Sequence, residues 1–257
     1  MKISRRNFGK LATALVLSPK ELYENLDEIL KNPGEIEQNS QIQKNYEEQM
    51  MDELRQTLKP LPSKPKIKLT IDDGPTHYQP EIIEKLGENN QVIFYICGSY
   101  VDNKGFEQLK ETIKKGHIIG NHSFTHPNFK EISFSTAKSQ ILKTDEIINQ
   151  AYKEAGVERK DKFFRFPYGN LTSSAVSFLK EIGYKPAGSW ERSWTDWDVD
   201  TEDWRYYSKK APKSLNSIMN NCKQTKEGYV VLCHEKGITT NNLIPYFVEK
   251  FTSRITI

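Results

Sequence analysis

The chain has only three cysteines in 257 residues, Cys97, Cys222 and Cys233, far apart and without any Cys-x-x-Cys spacing. That scarcity excludes a disulfide scaffold, a zinc knuckle and a redox pair. Cys97 and Cys233 each sit in an apolar run, the usual setting of a buried strand residue; export from the cell would allow one disulfide among the three. No stretch of about twenty apolar residues occurs, so no full transmembrane helix is expected. Internal repeats and low-complexity tracts are missing as well. Charge of one sign is also lacking: 37 basic residues against 34 acidic ones leave +3, largely interspersed, which argues against a nucleic-acid partner.

What charge excess there is lies at the start. Lys2, Arg5, Arg6 and Lys10 fall within the first eighteen residues, which hold no acid, so without them the net charge changes sign. Ser4-Arg5-Arg6-Asn7-Phe8-Gly9-Lys10 followed by the apolar stretch Leu11 to Leu17 resembles a bacterial twin-arginine export signal. Residues 1–18 are therefore expected to be such a signal or a basic arm. Export would place the protein in the cell envelope or periplasm, an uncleaved segment would give N-terminal membrane association, and a plain basic arm would leave the chain cytoplasmic. Ser18-Pro19-Lys20-Glu21 has the form of a capping box with proline at the first helical position.

Residues 19–64 predict a short helical extension. Leu22, Leu26, Ile29 and Leu30 recur at helical spacing until Asn32-Pro33-Gly34, and Tyr46, Met50, Leu54 and Leu58 repeat every four residues. The stretch from Lys59 to Pro65, with three prolines and two lysines, reads as a stiff linker and a boundary.

From residue 65 to 257 the texture becomes short apolar strands separated by helical patterns, the mark of an α/β domain built from βα repeats. Ile67, Leu69 and Ile71 alternate in the first strand, and further strands are expected near 91–97, 117–119, 163–166, 184–188, 197–199 and 229–233. Helices are marked by Ile82/Ile83/Leu86, Phe106/Leu109/Ile113, Ile141/Ile147/Ile148/Ala151, Phe178/Leu179/Ile182 and Leu243/Phe247. About seven parallel strands of this kind predict a distorted, incomplete (β/α) barrel.

Chemically capable residues follow the strands. Asp72-Asp73 follow the first, Asn121-His122 the third, Arg165 the fourth, Asp200 the sixth and His234 the seventh, and in parallel barrels the C-terminal strand ends converge on one face. Alone, Asp72-Asp73-Gly74-Pro75 is a turn sequence. Two imidazoles four apart, His122 and His126, can face one metal, and Pro127 puts them on a turn rather than in a long helix.

Together these residues can hydrolyse an amide. Two histidines and one carboxylate leave coordination positions open on a divalent cation, which lowers the pKa of bound water and polarises a carbonyl. His122, His126 and one of Asp72 and Asp73 supply that donor set; the other aspartate is free to act as general base. The departing amine needs an acid, and His234 is available. Zinc is the expected ion, with cobalt, nickel or manganese compatible with the same donors.

Five segments, Thr70-Ile71-Asp72-Asp73-Gly74-Pro75, His122-Ser123-Phe124-Thr125-His126, Arg165-Phe166-Pro167-Tyr168-Gly169, Asp200-Thr201-Glu202-Asp203-Trp204 and Val230-Val231-Leu232-Cys233-His234, make the chain similar to the polysaccharide deacetylase family, the NodB-homology domains. The resemblance implies a distorted barrel that removes acetyl groups from N-acetylhexosamine residues of peptidoglycan, a chitin-like polymer or a surface glycan. It implies Asp72 as general base, and Asp73 as metal ligand with His122 and His126. Arg165 would orient the base, and the Tyr168 backbone N–H would stabilise the oxyanion. Asp200 would hold His234, the general acid, and Trp204 and Leu232 would wall the acetyl pocket. Ile71 replaces a usual phenylalanine and Cys233 precedes the acid histidine; neither removes a chemical group.

The same fold could open a cyclic amide or cleave an O-acetyl ester. A non-catalytic glycan-binding module is a third reading, although such a module is expected to have lost a ligand or the base. His117 predicts a buried hydrogen-bonding role, and His77 either lines the cleft or is exposed. The four tryptophans, Trp190, Trp194, Trp197 and Trp204, fall within fifteen positions. At least two of them are expected in the core; exposed rings of this kind can stack on sugar faces.

Overall fold

The computed structural model describes residues 63–186, 194 and 197–254. The export signal or basic arm, the extension over 19–62, Trp190 and the end of the fifth expected strand lie outside the described residues.

Strand β1 (Lys66–Gly74) is the axis of the fold. It pairs in parallel with β2 (Ile93–Ile96) on one side and with β7 (Val230–His234) on the other. Beyond β2 comes β3 (Ile118–Asn121), and beyond β7 comes β6 (Val199–Asp200), giving the order β3-β2-β1-β7-β6. Two further strands, β4 (Lys162–Phe163) and β5 (Tyr184–Lys185), form a separate parallel pair, joined to the main sheet by an Asn121–Phe164 bridge. The barrel is thus open, and all its paired strands run parallel.

Strand β1 shows why the order is stable. Ile67, Leu69 and Ile71 are buried on one face, and Thr70 and Asp72 are buried on the other, as expected of a strand covered on both sides. The aliphatic face packs under helices α1 (Gln79–Leu86), α2 (Asn103–Lys114) and α3 (Phe134–Ala155), with Val231 and Cys233 of β7 in the same layer. The opposite face looks into the barrel, where Ile93, Tyr95, Phe163 and Val230 form a small inner layer. Phe129, Phe164, Phe166, Tyr184 and Trp194 form a further aromatic core with α4 (Ser173–Glu181).

Among the described residues four helix starts have side-chain caps that accept the orphan N–H groups: Asp102 for α2, Ser133 for α3, Thr172 for α4 and Ser214 for a helix over Leu215–Cys222. The long α3 ends at Gly156 in a left-handed conformation, a frequent glycine stop.

Among the described residues there are eight strands where about seven were expected. An eighth, β8 (Thr252–Ser253), lies beside the start of β1; two residues are too few to show periodicity in a sequence. Helix α5 (Leu215–Cys222), capped by Ser214, was also not read, because only Ile218 and Cys222 are buried on its inner face. The fourth strand is shorter than 163–166, since the chain leaves the sheet before Pro167 and turns through Pro167–Gly169. Helix α6 (Ile244–Lys250) closes the domain, preceded by a π-helical turn over Thr239–Leu243.

All three cysteines are free and buried. His117 is buried, with its ring edge-on to Phe94, but its Nδ1 has no hydrogen-bond partner, so the expected bonding role does not extend to that atom. Burial pushes its pKa down to about 4, which keeps it neutral. His77 is exposed and lies against Tyr78.

Candidate active site

Strand register brings the chemistry together. Asp72 pairs with His234 across β1 and β7, Asp72 with Tyr95 across β1 and β2, and Asp200 with Leu232 across β6 and β7. The period of two puts Asp72, Leu232 and His234 on the inner face. It ought to turn Asp73 to the opposite side. Instead the β1–β2 register slips between Asp72 and Gly74, leaving Asp73 as an extra residue with φ of 68°. This bulge lets two neighbouring carboxylates face one cavity.

Asp72 is almost wholly buried and accepts from Arg165 Nη1 at 2.7 Å. The same nitrogen donates to Thr70 Oγ1 at 2.7 Å. The guanidinium also lies over the Tyr95 ring, 4.5 Å from its centroid, with Trp197 on another side. Arg165 is therefore fixed by contacts on several sides, and it fixes Asp72.

His122 Nδ1 lies 2.8 Å from the Arg165 carbonyl oxygen, which as an acceptor requires the proton on Nδ1. The Nε2 lone pair then points at carboxylate oxygens: Asp73 Oδ1 at 3.7 Å and Asp72 Oδ2 at 3.6 Å. His126 Nε2 lies 3.5 Å from the same Asp73 oxygen. Donor atoms of Asp73, His122 and His126 all fall within 4.8 Å of one another. A lone pair facing carboxylates at such range is relieved by a cation between them, and a histidine held through its other nitrogen is the usual arrangement for a metal ligand. These residues fit a divalent ion.

The cluster rests on unusual backbone. Ser123, His126 and Tyr168 join Asp73 among the non-glycine residues with positive φ. Asn121 Oδ1 accepts the Ser123 N–H at 2.9 Å, and Ser123 Oγ accepts the His126 N–H at 3.1 Å, so hydrogen bonds hold the turn that aims both imidazoles. Burial alone would raise the Asp73 pKa, but the nearby His122, His234, His126 and Lys236 lower it overall. Burial and the neighbouring His122 lower His126, which favours the neutral imidazole a ligand requires.

On the far side stands His234, and here the structure corrects the expected partner. Asp203, not Asp200, holds it: Asp203 Oδ1 is 2.7 Å from His234 Nδ1, and Oδ2 accepts the His234 backbone N–H at 2.7 Å. Thr239 Oγ1 donates to the same Oδ2. Asp200 does line the cavity, but its Oδ1 accepts the Glu202 N–H at 2.8 Å. Strand β6 ends at Asp200, the chain turns at Glu202 with φ of 56°, and the Asp203–Tyr207 3-10 turn carries Asp203 beneath the histidine. Strand-end logic put Asp200 at the cavity, where it is found, but the role that the resemblance implied for it belongs to Asp203, which the sequence carries in the same segment, directly before Trp204.

Burial would depress His234, yet the charge and hydrogen bond of Asp203 prevail and raise its pKa to about 9. Burial pushes the Asp200 pKa up.

Another residue that sequence reasoning missed is Glu235. Its Oε2 accepts the Thr76 N–H at 2.7 Å, its Oε1 accepts from Gln79 at 3.2 Å, and its own N–H donates to the Asp72 carbonyl at 2.9 Å. Glu235 is 2 % exposed, and burial raises its pKa to about 8. It braces the bulged segment from behind; its only sequence signal is its place next to His234.

Asp72, Asp73, His122, His126, Arg165, Tyr168, Trp197, Asp200, Trp204, Leu232 and His234 line one cavity of about 350 Å³. The Tyr168 ring packs against His126, with centroids 4.6 Å apart, and the Tyr168 backbone N–H has no backbone acceptor among the described residues. Trp204 is 45 % exposed at the rim, whereas Leu232 is buried and Trp194 belongs to the aromatic core.

Comparison with known proteins agrees with this architecture. The chain is 31% identical over 174 residues to a peptidoglycan-N-acetylglucosamine deacetylase of Bacillus cereus, an alignment covering 67% of this chain and 56% of that protein. It is 26% identical over 174 residues to a chitooligosaccharide deacetylase of Sinorhizobium fredii, covering 66% of this chain and 72% of the relative. A family 4 carbohydrate esterase from Streptomyces lividans, solved in complex with acetate, superposes with a TM-score of 0.60 at 24% identity, covering 74% of this chain and 91% of the other. The chain thus spans little more than half of the first of these curated relatives. The polysaccharide deacetylase family profile matches residues 59–187, which hold the first three of the five segments, and the last two lie beyond it in the same fold. On this match the chain belongs to the polysaccharide deacetylase family.

Proposed function

We propose that the chain is a metal-dependent hydrolase that removes N-linked acetyl groups from N-acetylhexosamine residues of an acetylated glycan and releases acetate. The observation that carries this reading is one cavity with three parts: the Asp73, His122 and His126 donors, the Arg165-held Asp72 on one flank, and the Asp203-held His234 on the other.

Asp73, His122 and His126 would hold the ion, which when bound polarises the acetyl carbonyl and makes water more acidic. Asp72 takes a proton from the attacking water, with Arg165 and Thr70 keeping its carboxylate in place. The Tyr168 N–H donates to the oxygen of the tetrahedral species. His234 then gives its proton to the departing amine nitrogen, which cannot leave as an anion. Leu232 and Trp204 enclose the methyl group. Zinc is the proposed ion and the cell envelope the proposed location of the substrate, a reading supported by the relatives' glycans and the export-like N-terminus.

The test is product analysis of the full chain on peptidoglycan and chitin oligomers, before and after chelation and after zinc or cobalt is restored. Acetate and new free amine should appear in equal amounts and vanish with the metal. Acetate without free amine would mean an O-acetyl esterase, and ring opening without acetate a cyclic-amide hydrolase. No product from any acetylated glycan with the metal restored would leave the glycan-binding module.

A further inference from the structure

A second cavity, of about 500 Å³, adjoins the first across Trp204 and is lined by Tyr78, Trp204, Tyr207, Ser208, Lys236 and Gly237. Its volume is in the usual range for small-molecule sites, roughly 300–1,000 Å³. Its walls differ from those of the catalytic cavity. Three carboxylates, Asp72, Asp73 and Asp200, line the first; no acid lines the second.

Lys236 is half-buried, and among the described residues its Nζ has neither a hydrogen-bond nor an ion-pair partner. Arg165 and His234, the cations of the first cavity, are engaged by Asp72 and Thr70 and by Asp203 respectively. Aromatic surface surrounds the lysine: Trp204 is 45 % and Tyr207 56 % exposed. The Tyr207 and Tyr78 hydroxyls converge above Gly237, where a Cβ would lie 3.1 Å and 3.2 Å from them. Neither hydroxyl has a partner among the described residues. Glycine keeps the floor of the cavity open.

We propose that this cavity is a sugar subsite that selects a carboxylate-bearing residue next to the sugar in the catalytic cavity, with Lys236 as the carboxylate's partner. The proposal deepens the deacetylase reading and rests on it for the placement of the neighbouring sugar. Exposed rings stack on a pyranose face, free hydroxyls bond its polar edge, and a cation without a partner takes the acid. In the catalytic cavity the cationic side chains are already paired, Arg165 with Asp72 and His234 with Asp203, so Lys236 is the side-chain cation left to receive that acid. The carboxylate would be a lactyl ether, as on N-acetylmuramic acid, or a uronic acid.

Three disaccharides decide it: neutral N-acetylglucosamine dimer, N-acetylglucosamine linked to N-acetylmuramic acid, and N-acetylglucosamine linked to glucuronic acid. Their affinities are measured by calorimetry on the full chain, zinc-loaded and carrying Asp72→Asn to suppress turnover, at low and high salt, with acetate release followed separately on the chain without that substitution. At low salt at least one acidic disaccharide should bind about fivefold tighter than the neutral one, the size expected of one partly exposed ion pair, and salt should erode that preference. Lys236→Met should bring the ratio near one, and Lys236→Arg should restore it. The two acidic arms tell the lactyl from the uronic source. Equal affinities in the parent chain, a preference that Lys236→Met keeps, or no binding of any disaccharide overturns the subsite. Because binding is read without turnover, a chain that releases no acetate yet shows the Lys236-dependent preference would sink the deacetylase reading and leave the subsite standing.

Discussion

Asp203 grips His234 at two points, its Oδ1 2.7 Å from the ring Nδ1 and its Oδ2 2.7 Å from the backbone N–H. One carboxylate thus sets both the position of the imidazole and its proton affinity. Because the folded pKa, about 9, lies above the ordinary histidine value, the stabilisation is complete below about pH 6.5 and is lost as pH rises through 9.

Asp203→Asn should therefore lower thermal stability more at about pH 6 than at about pH 10. It should also move the alkaline limb of acetate release to lower pH, since the acid loses its proton earlier. An alkaline limb that stays in place would remove Asp203 from control of His234. Asp200→Asn, which leaves the contact intact, should not move it.

The two adjacent aspartates should separate by metal content. Asp72→Asn keeps the donors of Asp73, His122 and His126, so it should retain the ion and lose turnover by about 10²–10⁴-fold, the usual worth of a general base. His126→Ala should lose both the ion and the activity. Metal per chain, measured by mass spectrometry after dialysis, checks the division of labour; equal loss in both variants contradicts it.

Gly74 is a close-approach glycine. A Cβ there would lie 2.1 Å from Glu235 Oε1, so Gly74→Ala must displace the carboxyl that holds the Thr76 N–H. We expect a loss of about 1–3 kcal/mol, typical of overpacking a tight site. In a Glu235→Ala background the same substitution should cost much less. Equal costs in both backgrounds, from denaturant unfolding, would show that the side chain is not the obstacle.

Much of the frame was legible because it is periodic. Ile67, Leu69 and Ile71 announce β1, and the polar residues after each strand announce a shared edge. What escaped were features without period. Asp203 is carried under His234 by a turn whose path depends on a left-handed Glu202, and Glu235 acts from behind the strand that it follows. Both roles come from contacts distant in sequence. Lys236 stood out only once its lack of a partner could be seen.

The bulge at Asp73 has a consequence for how such a chain changes over generations. In an unbroken strand the two carboxylates would look to opposite sides of the sheet; one surplus residue lets both look inward. The inward-facing pair of carboxylates is therefore encoded by length as much as by side-chain identity. Loss of Asp73 alone would restore an even ladder and remove a left-handed residue, together with one of the three candidate metal donors. A change of one residue in length, and not only replacement of a carboxylate, would therefore dismantle the paired arrangement.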